Sequence, residues 1–351
     1  MLGDLKVGLT LSGGGAKGAY QVGVIKGLAK LGMQVDAISG ASIGSLNGGV
    51  VASASNLNEA YVHLDKLWTE LSNLQVIQAN PSSFLLFLQK SGLKFNGALI
   101  RKAMANIGLE PSHFIEERGV LKEDPLRLML DKFLDQEALN SGTPLYVSVY
   151  ESEGFLHDIV SAIPSLLHLS NGKDSEFFHI QSLPVDEQKE ALLASAAIPF
   201  LFEPKKIGGK IYSDGGLGGW KNSQGNTPVT PLINNGCDVI IVSHLEDGSL
   251  WDRNQFPNTT FIEVRPQANI SRNTGLLGGA KDILGFEPSN VQSWINQGYQ
   301  DTLHCVGRVY KALSSRKKLS DSKTVLLDSF KKNMDADEHL ADAMALIKLD
   351  S

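Results

Sequence analysis

The sequence has little of several features that mark particular classes of protein. Only two cysteines, Cys237 and Cys305, occur among 351 residues, which excludes a disulfide framework and a C-x-x-C metal site. The net charge is -6 and like charges form no long block, so the basic patch of a nucleic-acid-binding protein is missing. The one short basic segment, SSRKKLSDSKT near residue 320, is typical of a solvated helix end. We therefore expect no metal site and no nucleic-acid partner.

Long hydrophobic runs are also missing. The segment FLLFL at residues 84–88 is far shorter than the ~20 residues that span a bilayer, and the N-terminus lacks the pattern of a signal peptide. We expect a cytoplasmic protein with no transmembrane segment. Peripheral membrane contact stays open at residues 81–92, a candidate lid, although core packing is the favoured role for Leu86 and Phe87.

The hydrophobic pattern that is present indicates an α/β fold. Residues 5–11 and 34–39 are typical of buried strands, and each is followed by a glycine-rich turn and a helical pattern. This order predicts a central, mainly parallel sheet flanked by helices, over residues 1–265. Residues 58–140 are predicted to form a mostly helical insertion with a helix cap at Asn58, and residues 266–351 a C-terminal helical extension.

The glycine loop GGGAKG, residues 13–18, allows two interpretations. It contains G-x-G-x-x-G, the turn that binds dinucleotide phosphates, and a nucleotide-binding regulatory protein is the alternative function. That function needs an acidic residue at the carboxyl end of the second strand, but Asp36 falls near the start of that strand. A P-loop fits less well, because Lys17 is followed by Gly18 rather than by Ser or Thr.

A second glycine turn carries a candidate nucleophile. GASIG at residues 40–44 has the G-x-S-x-G pattern of a nucleophile elbow, in which Gly40 and Gly44 permit a tight strand-to-helix turn. Such a turn lifts the hydroxyl of Ser42 above the sheet. The pattern is weak by itself, but its position between a buried strand and a helix favours a catalytic serine.

The two turns should meet, because parallel strands end at the same edge of a sheet. The backbone amides of Gly13, Gly14 and Gly15 would then face Ser42 and stabilise a transient oxyanion. Lys17 has two open interpretations, electrostatic support for that anion or a solvated helix residue.

A serine nucleophile requires a base, and two candidates remain. His244 ends a predicted strand and could reach the active edge, although a structural role is favoured for it. Asp214 leaves another strand into a turn formed by Gly215 and Gly216, and it is the better candidate. A carboxylate of ordinary pKa, near ~3.9, is a poor base for a hydroxyl, so burial would have to raise the pKa of Asp214.

Taken in order, GGGAKG, GASIG and DGG at 214–216 resemble the three signatures of the patatin-like phospholipases, and ASAAIPFLFEP at 194–204 resembles a flanking family segment. The resemblance covers roughly residues 5–245. It implies a three-layer α/β/α fold and a lipid acyl hydrolase with a Ser42–Asp214 dyad, an oxyanion hole at the first glycines, no cofactor, and a phospholipid or other lipid ester as substrate. One departure is the longer turn after Gly216, which reads LGGWKNSQGNTP.

Overall fold

The computed structural model describes residues 5–73, 124–152, 173–197, 204–218, 224–246, 251–272, 282 and 285–349. The chain divides into two compact units, and each is described by itself. One unit is Leu5–Val306, and the described part of the other is residues 307–349. The candidate lid at residues 81–92 lies outside the described residues.

The larger unit is built on one sheet. Eight strands form it among the described residues. Seven follow the order β5-β6-β3-β2-β1-β7-β8, and β4 pairs with β3 outside this order. The strands are β1 (Val7–Leu11), β2 (Ala37–Gly40), β3 (Leu145–Glu151), β4 (Glu176–His179), β5 (Lys205–Ile207), β6 (Lys210–Asp214), β7 (Val239–Ser243) and β8 (Thr260–Val264).

The centre of the sheet is parallel and one side is antiparallel. Strand β1 pairs in parallel with β2 and β7, β2 with β3, and β7 with β8. Strands β4, β5 and β6 join through antiparallel pairs. Leu11 at the end of β1 is in register with Gly40 at the end of β2. The turns that follow these two strands therefore start side by side.

The sheet of the larger unit is flanked by helices of the same unit. The α-helices in the described part of the chain are α1 (Ala19–Lys30), α2 (Ile43–Ala52), α3 (Leu57–Asn73), α4 (Asp124–Phe133), α5 (Gln136–Ser141), α6 (Val185–Ser195), α7 (Thr230–Asn234) and α8 (Pro288–Leu349). The predicted cap at Asn58 was wrong. The Asn56 side chain accepts hydrogen bonds from the amides of Asn58 and Glu59, so the helix begins two residues earlier than its apolar stripe suggested.

Both faces of the sheet are buried, as a parallel sheet requires. Side chains alternate along β7, so Ile241 joins the larger core cluster while Ile240 and Val242 join a second cluster around Trp251. The prediction of a mainly parallel sheet flanked by helices is confirmed.

The first part of α8 belongs to the larger unit. Trp294 and Ile295 are buried in the main core. A Cβ added at Gly23 would lie 1.9 Å from the carbonyl oxygen of Ile295, so α1 and α8 pack backbone to backbone at this point. The Tyr20 hydroxyl donates to Asp301 Oδ2 at 2.9 Å and fixes the register of this contact.

Candidate active site

The turn between β2 and α2 is strained at one residue. Ser42 has φ +51°, the one positive φ of a non-glycine residue in the described ranges. Gly44 must be glycine, because a Cβ there would lie 2.1 Å from the carbonyl oxygen of Leu11. Gly40 is equally confined, with a Cβ position 2.5 Å from the carbonyl oxygen of Gly44. Strain of this kind persists only where the surroundings fix the backbone, and it is frequent at functional sites.

The glycine loop lies directly beside this serine. A Cβ added at Gly13 would be 2.9 Å from Ser42 Cβ and 2.5 Å from Asn226 Oδ1. The Gly13 amide donates to the Asn226 carbonyl oxygen at 3.3 Å. A 3-10 turn, Gly15–Gly18, then leads into α1. No hydrogen bond occupies the amides of Gly14 and Gly15 within the described residues, as is usual at the start of a helix.

A buried amide network holds the loop against α2 and α3. Gln21 Nε2 donates to the carbonyl oxygen of Ser12 at 2.7 Å. Asn47 Nδ2 donates to Gln21 Oε1 at 2.9 Å and to the Gly18 carbonyl oxygen at 3.1 Å. Trp68 Nε1 donates to Asn47 Oδ1 at 2.9 Å. Because every partner is buried and bonded, the network fixes the loop before any ligand is present.

The structure places Asp214 at the end of β6, close to Ser42. Its Oδ1 accepts from the Gly216 amide at 2.8 Å, and its own amide donates to the Ala197 carbonyl oxygen at 3.0 Å. Gly215 packs on β3, where an added Cβ would lie 2.1 Å from the Ser148 carbonyl oxygen. The glycines of this turn therefore let the carboxylate approach the sheet edge closely.

The second carboxylate oxygen of Asp214 has an unusual environment. Oδ2 is buried and receives no hydrogen bond of good geometry from the residues that the structure describes. Burial raises the pKa of Asp214 from its usual 3.8 to about 6, while the Ser42 hydroxyl and the Gly216 amide act in the opposite direction. The Ser42 hydroxyl is thus near enough to the Asp214 carboxylate to favour its charged form, although the two groups do not meet the geometric criteria of a hydrogen bond.

Three residues beside the site carried no signal in the motif analysis. Ser195 Oγ, fully buried on α6, accepts the Ser42 amide at 3.0 Å and so fixes the strained turn. Asn226 Oδ1 lies beside both Gly13 and Gly216. Thr227 Oγ1 is 3.0 Å from Ser12 Oγ. Ser195 lies in the segment at 194–204 that resembles a family flank, and that similarity could have indicated it, whereas Asn226 and Thr227 lie in the longer turn after Gly216.

Two other candidate residues have defined partners. Lys17 is only 8% exposed, and its Nζ lies 3.8 Å from the Oε1 of the solvent-facing Glu246. His244 is buried, and its Nε2 lies 3.0 Å from Glu263 Oε2. Burial lowers the pKa of His244, although Glu263 opposes that effect. No contact joins His244 to Ser42 among the described residues, so its ring is directed at the neighbouring strand.

Asp36 does not lie near the glycine loop. Its Oδ2 accepts from the Val7 amide at 2.7 Å, at the amino end of β1, whereas the loop follows the carboxyl end of that strand. An acidic residue that binds the ribose of a dinucleotide would have to lie at the carboxyl end of β2. The position of Asp36 therefore gives no support to the dinucleotide interpretation.

Two other kinds of feature are absent from the described ranges. No helix there is long and apolar enough to cross a membrane. No group of three or more His, Cys, Asp or Glu side chains there could hold a metal ion.

Among the family models, one matches more than half of the chain. The family model described as patatin-like phospholipase matches residues 9–232. Lysophospholipase nte1 of Aspergillus terreus is 49% identical over 55 residues, which are 16% of this chain and 4% of that protein. Patatin-like phospholipase domain-containing protein 7 of Rattus norvegicus is 32% identical over 93 residues, which are 26% of this chain and 7% of that protein.

The chain thus spans less than a tenth of the length of these two relatives. Among solved structures, VipD from Legionella pneumophila is similar with a TM-score of 0.40 and 14% identity. That match covers 87% of this chain and 67% of VipD.

Proposed function

The chain belongs to the patatin-like phospholipase family, and from this premise we propose that it is a lipid acyl hydrolase with Ser42 as nucleophile and Asp214 as base. The observation that carries the proposal is the position of Asp214. Its buried Oδ2 has no hydrogen-bond partner of good geometry within the described residues, and the hydroxyl that acts on its carboxyl group belongs to Ser42, whose φ is positive. A buried polar atom without a partner is costly, and a catalytic role explains why it persists.

In the proposed reaction, Asp214 takes the proton of the Ser42 hydroxyl as Oγ attacks the ester carbonyl carbon. The tetrahedral intermediate collapses, the leaving alcohol receives the proton from Asp214, and the acyl group stays on Ser42. Water then attacks the acyl-enzyme while Asp214 accepts a proton from it. As the bond from the acyl carbon to Ser42 Oγ breaks, Asp214 returns that proton to Oγ, and the fatty acid leaves. The raised pKa of Asp214 suits both directions of transfer, because a group of pKa near 6 both accepts and returns a proton at neutral pH.

The oxyanion of both intermediates would be stabilised by the glycine loop. The amides of Gly14 and Gly15 are the first choice, because the Gly13 amide already donates to the Asn226 carbonyl oxygen. Gly13 would join them only if that 3.3 Å bond opened. One preorganised donor of this kind is worth about 3 kcal/mol in the transition state. Lys17 would add a positive charge behind the loop.

For the substrate we propose a phospholipid or lysophospholipid. The support is the name of the Aspergillus relative, a lysophospholipase, whose matching segment is 49% identical. A single-chain lipid would be delivered from a membrane or a micelle, so we also propose transient contact with a lipid surface.

The substrate class can be tested with a mixed lipid extract. We expect the purified protein to release free fatty acids and lyso- or deacylated lipids, which mass spectrometry would identify. Protein first treated with a fluorophosphonate should release none, because the reagent would occupy Ser42. Peptide mapping should find the label on Ser42, and a label on another serine with equal loss of activity would refute the assignment.

The pH dependence should follow the carboxylate. Asp214 accepts a proton only when ionised, and its pKa is about 6. We therefore expect kcat/KM on a soluble p-nitrophenyl ester to be constant above about pH 7 and to fall about tenfold per pH unit below the pKa. A rate that stays constant down to pH 4.5 would show that Asp214 is not the base.

A further inference from the structure

The last part of α8, residues 319–344, exposes a stripe of large apolar side chains. Leu326, Phe330 and Met334 are 55%, 58% and 71% exposed, and Leu319 and Met344 are also exposed. Spacings of four, seven and ten residues place these side chains along one face of a helix. An apolar stripe of this length on a soluble helix marks an interaction surface.

The stripe is symmetric about Phe330. Leu326 and Met334 lie four residues before and after it, and Lys323 and Asp337 lie seven residues before and after it. All five positions are exposed and share the face. The two charged side chains on this face have opposite signs. The face is therefore complementary to the same face of a second copy that runs in the opposite direction.

The charge along the helix shows the same symmetry. Residues 311–323 contain five basic side chains and one acidic side chain, whereas residues 335–342 contain four acidic side chains and no Lys or Arg. In a parallel pair of such helices, like charges would meet at both ends. In an antiparallel pair, each basic segment would lie beside an acidic one.

We propose that residues 319–341 form a homodimer interface, in which two copies of α8 pair antiparallel about a two-fold axis at Phe330. The interface is isologous: Leu326 packs on the second copy's Met334, and Lys323 faces its Asp337. A lipid surface fits the stripe less well, because Asp337 would be buried without a partner and the flanking face carries acidic as well as basic residues.

The oligomeric state of the full chain tests the proposal. Light scattering after size exclusion at micromolar concentration should give twice the 37.9 kDa of one chain. Phe330→Glu should give a monomer with unchanged helix content by circular dichroism. The matched control Lys332→Asp lies outside the stripe and should stay dimeric. A monomeric wild type, including one that binds lipid vesicles as a monomer, would overturn the proposal.

Charge reversal tests the register. Lys323→Asp places two acidic side chains opposite each other at both ends of the interface, so the dimer should weaken by about tenfold or more. Combining it with Asp337→Lys restores opposite charges at both pairs and should restore the dimer. Failure of the double variant to recover would exclude this register, whatever the behaviour of the single variants.

Cysteine cross-linking tests the direction of pairing, in a Cys305→Ser background because Cys305 is partly exposed. In an antiparallel dimer, chains carrying Leu326→Cys should form a disulfide with chains carrying Met334→Cys, and neither variant should cross-link with itself. The reverse result, self-cross-linking of each variant alone, would show parallel helices and contradict the proposal.

Discussion

Ser42→Ala should lower ester hydrolysis by about 10⁴-fold or more, since removal of a nucleophile leaves only the contribution of binding and of the oxyanion donors. The substitution removes one atom, and the Ser42 amide would still donate to Ser195 Oγ, so the turn should keep its shape. Initial rates on a soluble ester and on lysophospholipid vesicles would measure the loss on both kinds of substrate.

The matched control for this variant is Ser45→Ala. Ser45 is the next serine along α2, and its hydroxyl donates to backbone carbonyl oxygens rather than facing the carboxylate. It should lose some stability but keep most of its turnover. Equal losses in Ser42→Ala and Ser45→Ala, with both proteins folded by circular dichroism, would show that the effect comes from the packing of α2 and not from a nucleophile.

Asp214→Asn should have two effects of opposite sign. Turnover should fall by about 10³-fold, because the amide cannot accept the Ser42 proton. The free energy of unfolding at pH 8 should rise, because the pKa of Asp214 is about 6 in the folded protein and has its ordinary value of 3.8 in the unfolded chain. The ionised carboxylate then costs up to about 3 kcal/mol, and asparagine removes that cost.

The sign of the stability effect gives an internal control. A group whose pKa is raised by folding contributes least to stability above its folded pKa, and the loss develops as pH rises from about 4 to about 6. Urea unfolding of both proteins should therefore show a gap at pH 8 that nearly closes at pH 4. A variant that is less stable than the wild type at pH 8 would mean that the Asp214 environment favours the charge.

Much of the fold was predictable because parallel strands leave a strong local signal. The buried segments that became β1 and β2 were predicted from their hydrophobic pattern, and the register of Leu11 with Gly40 brings the two following turns together, as expected for neighbouring parallel strands. The glycine patterns were also informative. At Gly44 a Cβ would collide with the backbone of Leu11, so a glycine at this position indicates that two backbone segments pack closely.

What the sequence could not supply was contact between distant segments. Asn226 and Ser195 are far from Ser42 along the chain, and only the folded sheet and α6 bring them beside it. For His244, the position along the strand led to a wrong expectation. A position at a strand end predicted access to the active edge, but the side chain instead lies against Glu263 on the adjacent strand β8.

The order of the strands also bears on when a folding chain would become reactive. The serine turn and the glycine loop come from the first fifty residues, whereas Asp214 arrives on β6, which joins the sheet through an antiparallel pair with β3. Under the proposed mechanism, a chain in which β6 has not yet paired with β3 would carry its serine without the proton acceptor. Hydrolysis would then begin only once the last of the three turns had joined the first two.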